Sequence, residues 1–327
     1  MYDATLDLEQ APAEEATDAA ELELFVATAS FAQRRLWLLD RMQPGSSAYN
    51  VPVAVRLRGP VRADILADAL AELVTRHETL RTFFDEEEGE PVQVIVPELR
   101  PELPEIDLTA LPPGRADAEA LFQAREEARR PFDLGRAPLL RAFLFPLSRG
   151  QGGRWERGSG GEALLVLSLH HIVTDGWSLG ILLRELSTLY AAFAAGLPSP
   201  LPDLPIQYAD FAAWQREWLQ GDVLEQKLRP WRQRLANAPA GLALLTDRPR
   251  ALDGPQEGRC GVLPIHLGAA LSAEVRQLAR ASGATLFMTL LAGFQALLSR
   301  HSGETDLVVG SPVANRNRLE IEGIIGF

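Results

Sequence analysis

The sequence predicts a fold of mixed α and β structure, of the α+β or mixed α/β class, arranged in two lobes. Apolar runs typical of strands are interspersed with apolar positions at helical spacing, without a regular strand–helix alternation. The chain has 327 residues, more than one hydrophobic core usually organises. No internal repeat is visible.

The first predicted element is a helix that starts at Ser30 and ends at the breaker Pro44-Gly45. Strands are predicted where valines and leucines alternate with polar residues or run continuously, and helices where apolar residues recur every three or four positions. The predicted strands lie near residues 53–57, 92–96, 139–145, 163–169 and 307–309. The further helices lie near 65–74, 178–196 and 209–220, with two more helical stretches near 272–300.

Three segments are interpreted as connections. Residues 1–24 are rich in Glu, Asp and Ala and are predicted to be a flexible acidic leader. Residues 148–162 are rich in Gly and Arg, which indicates a surface loop that joins two antiparallel strands. The proline-rich residues 198–205 are predicted to mark the boundary between the lobes.

Composition and charge exclude several classes of protein. Apolar residues make up 46% and charged residues 23%, which argues against disorder over the whole chain. The net charge of −12 makes a general nucleic-acid binder unexpected. The single cysteine, Cys260, cannot form an internal disulfide, so a reducing cytoplasmic location is predicted.

No membrane segment is predicted. The N-terminus lacks the basic region and the apolar core of a signal peptide. The longest uncharged stretch lies between Arg280 and Arg300, and its polar residues leave an apolar part too short to span a bilayer. We predict a buried helix there.

The segment HHIVTDGWS at residues 170–178 is the strongest chemical feature of the sequence. A buried strand ends at two histidines, the chain turns at Asp175-Gly176, and a helix follows with Ser178 as its predicted N-cap. An imidazole, a carboxylate and the backbone amides of a helix start would therefore lie together. The structural alternative is a pair of buried histidines satisfied by backbone hydrogen bonds.

Metal ligation at this segment is not predicted. A metal site needs a third ligand, and the remaining histidines, at positions 77, 266 and 301, are scattered along the chain. His170 and His171 would also point to opposite faces if the strand continued through them.

The segment HHIVTDG resembles the HHxxxDG motif of condensation domains from nonribosomal peptide synthetases, in the chloramphenicol acetyltransferase-like superfamily. Four further segments resemble core motifs in the order of that family. They are SFAQRRLWLL with PGSSAYN at 30–50, RHETLRTFF at 76–84, YADFAAW at 208–214 and VVGSPVANR at 308–316. The resemblance covers the chain from about residue 25 to its end.

This resemblance implies a chloramphenicol acetyltransferase-like two-lobe sandwich. Residues 25–197 would form the N-terminal lobe with HHxxxDG, and residues 198–327 the first part of the C-terminal lobe. In the family, the residues that match Gly326-Phe327 open a fifth motif and are followed by the rest of that lobe. The second lobe is therefore expected to be truncated at the C-terminus, which is an argument against activity of the isolated chain.

The resemblance also implies an acyltransferase that forms an amide bond. The amine of an aminoacyl group on a downstream carrier protein would attack an acyl or peptidyl thioester on an upstream carrier. Each substrate would be tethered to the 4′-phosphopantetheine of its carrier, and the chain itself would bind no cofactor or metal. An adjacent adenylation domain and a role in antibiotic or other secondary metabolite biosynthesis follow, without a nucleic-acid or membrane partner.

Roles for individual residues come from the same resemblance. His171 would accept a proton from the attacking amine or orient it, two alternatives that stay open. The backbone N–H of Gly176 would lie near the developing oxyanion. His170, Asp175 and Arg316 would be structural, the last two as an ion pair that can be bidentate. Candidates for the lining of the substrate tunnel are Trp177 and Ser311.

Several alternatives remain within this framework. The segments PGSSAYN and DGWS resemble those of the subtype that joins an L-donor to an L-acceptor. A starter domain that N-acylates the first amino acid is the alternative. A non-catalytic, condensation-like recruitment domain is the alternative from another class. Epimerisation, heterocyclisation and coenzyme A-dependent acyltransferase domains match less well, because their motifs differ after DG, replace the histidines or lack the four further segments.

Overall fold

The structure is a computed structural model that describes residues 24–59, 61–149, 161–239, 241–242, 244 and 263–327. The predicted acidic leader, apart from its last residue, most of the Gly- and Arg-rich loop and Cys260 lie outside the described residues. The described residues form six strands and nine α-helices, so the prediction of a mixed α and β fold is confirmed.

The fold divides into two compact units. The first contains the described residues up to Arg216 together with Arg316–Phe327, and the second is Glu217–Asn315. The first unit holds both sheets and the HHxxxDG segment. It extends beyond residue 197, where the sequence places the boundary between lobes, and the division into lobes stays a prediction.

Two antiparallel sheets form the first unit, with strand orders β1-β4-β3 and β2-β6-β5. The strands are β1 (Phe25–Thr28), β2 (Asn50–Arg58), β3 (Thr82–Glu87), β4 (Glu90–Ile95), β5 (Leu140–Arg149) and β6 (Gly161–His170). The predicted antiparallel pairing across the Gly- and Arg-rich loop is therefore present. The strand predicted at 307–309 is wrong: these residues adopt no strand, because no described segment pairs with them.

The helices account for most of the remaining regular structure. They are α1 (Phe31–Met42), α2 (Ala63–Arg76), α3 (Pro113–Arg129), α4 (Gly176–Ala194), α5 (Tyr208–Trp218), α6 (Gly221–Leu235), α7 (Ala269–Ala281), α8 (Leu286–Ser302) and α9 (Leu319–Glu322). Ser30 begins α1 as predicted: its side chain accepts from the Gln33 amide, and the Gln33 side chain accepts from the Ser30 amide.

The central strand β6 has a continuous apolar sequence because both of its faces are covered. Leu165, Leu167 and Leu169 belong to a core cluster shared with α2 and α4. Leu164 and Val166 belong to a second cluster that includes the inner face of α3. This burial on both sides fixes the end of β6, where the histidine pair lies, on a rigid layer.

In the second unit, the prediction that α8 is buried is wrong. The helix begins at the N-cap Thr285 and ends at Gly303, and it contains no buried residue. Its main described contact is with α7, which covers only part of its apolar surface. Among the described residues, no single helix is long and apolar enough to cross a membrane; α7 and α8 pass such a test only as a pair bent by 106°.

The 316–327 segment returns to the first unit and enters its core. Ile325 packs in the cluster of α2, α4 and β6, and Ile324 packs with Tyr208 of α5. Gly326 lies against the ring of Tyr208: a Cβ atom added there would be 2.6 Å from Tyr208 Cγ and closer still to Cδ2. Because Tyr208 is fully buried, its ring has no room to retreat.

We therefore expect Gly326→Ala to destabilise the chain by about 1–3 kcal/mol, the usual cost of overpacking a core. Gly323→Ala is the matched control, because a Cβ atom at that position would meet no atom within 4 Å. Urea denaturation of both variants measures the difference. Equal midpoints for the two variants would show that the contact with Tyr208 does not restrict position 326.

Candidate active site

The HHxxxDG segment forms the junction between β6 and α4. The strand ends at His170, a 3-10 helix covers His171–Val173, and α4 starts at Gly176. The His171 amide donates to the carbonyl of Tyr49 at 2.8 Å, which joins the turn to the start of β2. The junction thus has the strand–turn–helix form that the sequence predicts.

Asp175, and not the predicted Ser178, is the N-cap of α4. Its side chain accepts a hydrogen bond from the Ser178 amide at 2.7 Å. A carboxylate at this position satisfies an amide that lacks a helical partner and interacts favourably with the helix dipole. Ser178 lies in the first turn, where its hydroxyl is free to bind another part of the chain.

The Ser178 hydroxyl joins the junction to the 316–327 segment. It donates to the Gly326 carbonyl at 2.8 Å and accepts from the Gly326 amide at 3.1 Å. It also accepts from Arg316 Nη2 at 3.1 Å. Its single donor and both of its acceptor positions are therefore used.

Arg316 binds both sides of this contact. Its Nη2 atom lies 3.4 Å from Asp175 Oδ2, and the side chains of Arg316 and Asp175 are 6% and 14% exposed. The structure thus brings the two residues together, but through one carboxylate oxygen and not in the bidentate form. The guanidinium also donates to three backbone carbonyls, at 2.9 to 3.2 Å, which belong to Ile321, Ile324 and Gly326.

The two histidines lie in different environments. His170 is 2% exposed, and its Nδ1 atom accepts from the Ile172 amide at 3.1 Å. Burial, with a smaller contribution from the charge of His171, lowers the pKa of His170 to about 4. His170 is therefore neutral at pH 7, with its proton on Nε2, and serves as an anchor for the turn.

His171 has one shielded and one reachable ring nitrogen. Nδ1 is buried and has no hydrogen-bond partner within the described residues. Nε2 likewise has no partner there, but it is not buried. The ring of Phe327 meets the imidazole edge to face, with 4.7 Å between the ring centroids. The imidazole thus offers Nε2 to a molecule that approaches the junction.

The other predicted site residues lie in more open positions. A Cβ atom added to Gly176 would meet no atom within 4 Å, so no neighbour in the described structure requires glycine there. Trp177 is 46% exposed, and its indole N–H donates to the Glu322 carbonyl at 3.0 Å. Ser311 is exposed in the second unit, and its place in a substrate tunnel stays a prediction.

The buried pair of His77 and Glu185 supports the same segment, and sequence reasoning missed Glu185. His77 donates through Nε2 to Glu185 at 2.8 Å, and its Nδ1 accepts from the Ile325 amide at 3.3 Å. Burial raises the pKa of Glu185, but the hydrogen bond from His77 and the charge of Arg76 outweigh it, so the net shift is downward. The sequence signal was Glu185 itself, a carboxylate on the apolar face of α4.

The ion pair of Asp175 and Arg316 predicts a coupled loss of stability. Removal of either partner leaves a buried charge unpaired, at a cost of about 3–5 kcal/mol. Arg316→Ala should cost more than Asp175→Ala, because three carbonyls and the Ser178 hydroxyl each lose a hydrogen bond as well. The double variant should cost less than the sum of the singles. Urea denaturation of the four proteins tests this, and additive losses would contradict the coupling.

The pKa of His170 predicts a loss of stability in acid. Because its pKa is about 4 in the folded state and about 6.5 when unfolded, the unfolded state binds the proton more tightly between these values. The free energy of unfolding therefore keeps its full value, as far as His170 is concerned, above about pH 6.5. It falls by about 3 kcal/mol in all as the pH decreases toward 4. His170→Asn, which keeps an acceptor for Ile172, should flatten the pH dependence of the unfolding free energy. His301→Asn is the control, and equal slopes in both variants would contradict the prediction.

No group of three or more His, Cys, Asp or Glu side chains gathers as metal ligands in the part of the chain that the structure describes. The chemistry available at the junction is that of an imidazole with a reachable Nε2, backbone amides at a helix start and a buried ion pair.

Comparisons with known proteins agree with this architecture. The family model described as "Condensation domain" matches residues 25–327. A linear gramicidin synthase polypeptide from Brevibacillus parabrevis is 48% identical over 298 residues, which cover 91% of this chain and 4% of that protein. The chain therefore spans only a small part of this curated relative.

Two solved structures share the fold. The X-domain in its complex with OxyB from teicoplanin biosynthesis is 27% identical with a TM-score of 0.77, over 97% of this chain and 66% of that one. The first condensation domain of the calcium-dependent antibiotic synthetase, bound to a substrate analogue, is 25% identical with a TM-score of 0.75, over 92% and 66%. The fold is thus chloramphenicol acetyltransferase-like, and the chain belongs to the condensation-domain family of nonribosomal peptide synthetases.

Proposed function

We propose that the chain carries the catalytic histidine of a peptide-bond-forming condensation domain. The amine nitrogen of a carrier-bound aminoacyl group attacks the thioester carbonyl of a second carrier-bound acyl or peptidyl group. The new C–N bond forms as the C–S bond breaks. The amine loses a proton, and the departing thiolate of the donor's phosphopantetheine gains one.

The unequal environments of the two histidines are the observation that carries this proposal. His170 is buried, neutral and bonded to the turn, so it is unsuited to exchange protons with a substrate. His171 keeps Nδ1 shielded and Nε2 reachable, at the point where a buried strand meets a capped helix. A neutral imidazole in this position can accept the amine proton or orient the amine by a hydrogen bond.

The start of α4 supports the developing negative charge. Gly176 is the first residue of the helix, so its amide has no intrahelical acceptor, and the helix dipole favours an anion at this end. The space beside Gly176 would let a thioester carbonyl approach the backbone closely. In this proposal Asp175 and Arg316 hold the turn, and Trp177 and Ser311 line the path of the tethered substrates.

The partners of the reaction are two carrier proteins, one upstream and one downstream, with an adenylation domain adjacent. We propose the subtype that joins an L-donor to an L-acceptor in a cytoplasmic synthetase for a secondary metabolite, with the starter subtype as the alternative. The segments PGSSAYN and DGWS favour this subtype, and the matches to a gramicidin synthase and to a condensation domain bound to a substrate analogue support a synthetase condensation domain of either subtype. The solved structures extend beyond the match by about a third of their length, and in this proposal turnover needs that further part of the domain.

The X-domain match supports a second candidate function, a recruitment domain that binds another enzyme without catalysis. The X-domain structure is a complex with OxyB, and its fold covers nearly the whole chain. The two functions differ in one respect that an assay can detect, because only the first yields a peptide on a carrier protein.

We expect His171→Ala to reduce dipeptide formation at least hundredfold, because loss of a positioned proton acceptor usually costs about two to four orders of magnitude. Its melting temperature should stay close to that of the wild type, since Nδ1 makes no hydrogen bond that the variant would lose. The assay uses the full-length domain with two loaded carrier proteins and mass spectrometry of the product. His301→Ala is the control for substitution of a histidine elsewhere. Equal turnover of His171→Ala and the wild type would reject a catalytic role for His171, and no product from the wild type would favour the recruitment function.

A further inference from the structure

We propose that Phe327 is a positioning residue that holds the imidazole of His171 in one orientation. The effect of Phe327 on turnover rests on the proposed function, whereas the orientation of the His171 imidazole can be measured without any reaction. Three features support this role: the imidazole lacks another restraint, the ring of Phe327 packs against it, and the backbone of Phe327 is itself held in place.

The imidazole of His171 lacks the restraint that usually orients such a ring. In catalytic and metal-binding histidines, a hydrogen bond to one ring nitrogen commonly fixes the tautomer and the ring plane. Here Nδ1 is buried and unpartnered within the described residues. The torsion that rotates an imidazole is broad and roughly two-fold, so packing must select the orientation that aims Nε2 at the substrate.

Phe327 supplies this packing. Its ring lies 4.7 Å from the imidazole, centroid to centroid, at an angle of 74°. This is the edge-to-face geometry that aromatic pairs prefer, and a rotation of the imidazole would disturb it. The ring contacts of His170, with Tyr49 and Phe132, are longer at 6.3 and 6.1 Å.

Hydrogen bonds hold the backbone at Phe327 and at the preceding residue, so the ring of Phe327 has a fixed position beside His171. The phenol of Tyr208 donates to the Phe327 backbone oxygen and is paired with the Ser30 hydroxyl at 3.0 Å. Burial raises the pKa of Tyr208 to about 12, so the phenol remains a donor at neutral pH. Gly326, the preceding residue, is bound through its amide and its carbonyl to Ser178.

Loss of the aromatic ring of Phe327 should affect the rate of the chemical step more than the binding of the loaded carriers. Phe327 touches the histidine, and in this proposal the carriers and their tethered arms do not depend on it. We expect Phe327→Leu to lower kcat about tenfold to hundredfold, the range in which misplacement of a catalytic group acts, with little change in KM for the loaded carriers. Phe327→Tyr, which retains the aromatic ring, should recover most of kcat.

The test that does not depend on turnover is NMR of the 327-residue chain with isotope-labelled histidine. Phe132→Leu, which removes the ring beside His170, is the matched control. In the wild type, the His171 ring protons should give one set of signals with a fixed pattern of cross-relaxation to neighbouring protons. In Phe327→Leu they should broaden or show two orientations, and in Phe327→Tyr and Phe132→Leu they should remain as in the wild type.

Unchanged cross-relaxation of His171 in Phe327→Leu would overturn the proposal, and so would wild-type kcat in that variant. If Phe327→Leu does not fold, Phe327→Met supplies the same comparison with a longer apolar side chain. The proposed function fails by a different result, wild-type turnover in His171→Ala, so the two failures can be told apart.

Discussion

The HHxxxDG turn depends on one buried guanidinium. Arg316 is nearly inaccessible to water, and it donates to a carboxylate and a hydroxyl of the α4 start and to three carbonyls of its own segment. Because a buried charge is tolerated only when it is paired and hydrogen-bonded, these acceptors must stay in place together. The planar fork of arginine matches this arrangement, whereas the ammonium of lysine would satisfy fewer acceptors.

This constraint links two parts of the chain that are distant in sequence. The HHxxxDG turn is fixed on one side by β6, whose two faces are packed, and on the other by the hydrogen bonds of Ser178 and Arg316. The 316–327 segment gains its position from the same bonds and from His77 and Tyr208. The ring of Phe327 therefore contacts His171 from a backbone that is held in place. His171 is thus packed on one side although its Nδ1 has no hydrogen-bond partner within the described residues.

Much of the fold and the strand–turn–helix geometry of the candidate site could be predicted from the sequence, because they depend on local patterns. Apolar periodicity identified β2, β4, β5 and β6 and the helices α1, α2, α4 and α5, but not β1, β3, α3 or α9. Two histidines between a buried strand and a helix identified the junction. Details that depend on competition between contacts could not be predicted. Asp175 and Ser178 are both good N-cap residues three positions apart, and the amide and carbonyl of Gly326, which bind the Ser178 hydroxyl, decide which of them caps. The exposure of α8 and the absent strand at 307–309 likewise depend on which segments are near enough to pack or pair.

Amide hydrogen exchange in the wild type and Arg316→Lys tests the central claim most directly. The informative amides are those of Ser178, Ile325 and Gly326, which donate to Asp175, His77 and Ser178. If Arg316 holds the turn and the 316–327 segment as one unit, all three should exchange faster in the variant by a similar factor, while the amides of β6 stay protected. Faster exchange of Ile325 and Gly326 with an unchanged Ser178 would contradict the account, because the turn would then be stable without the arginine.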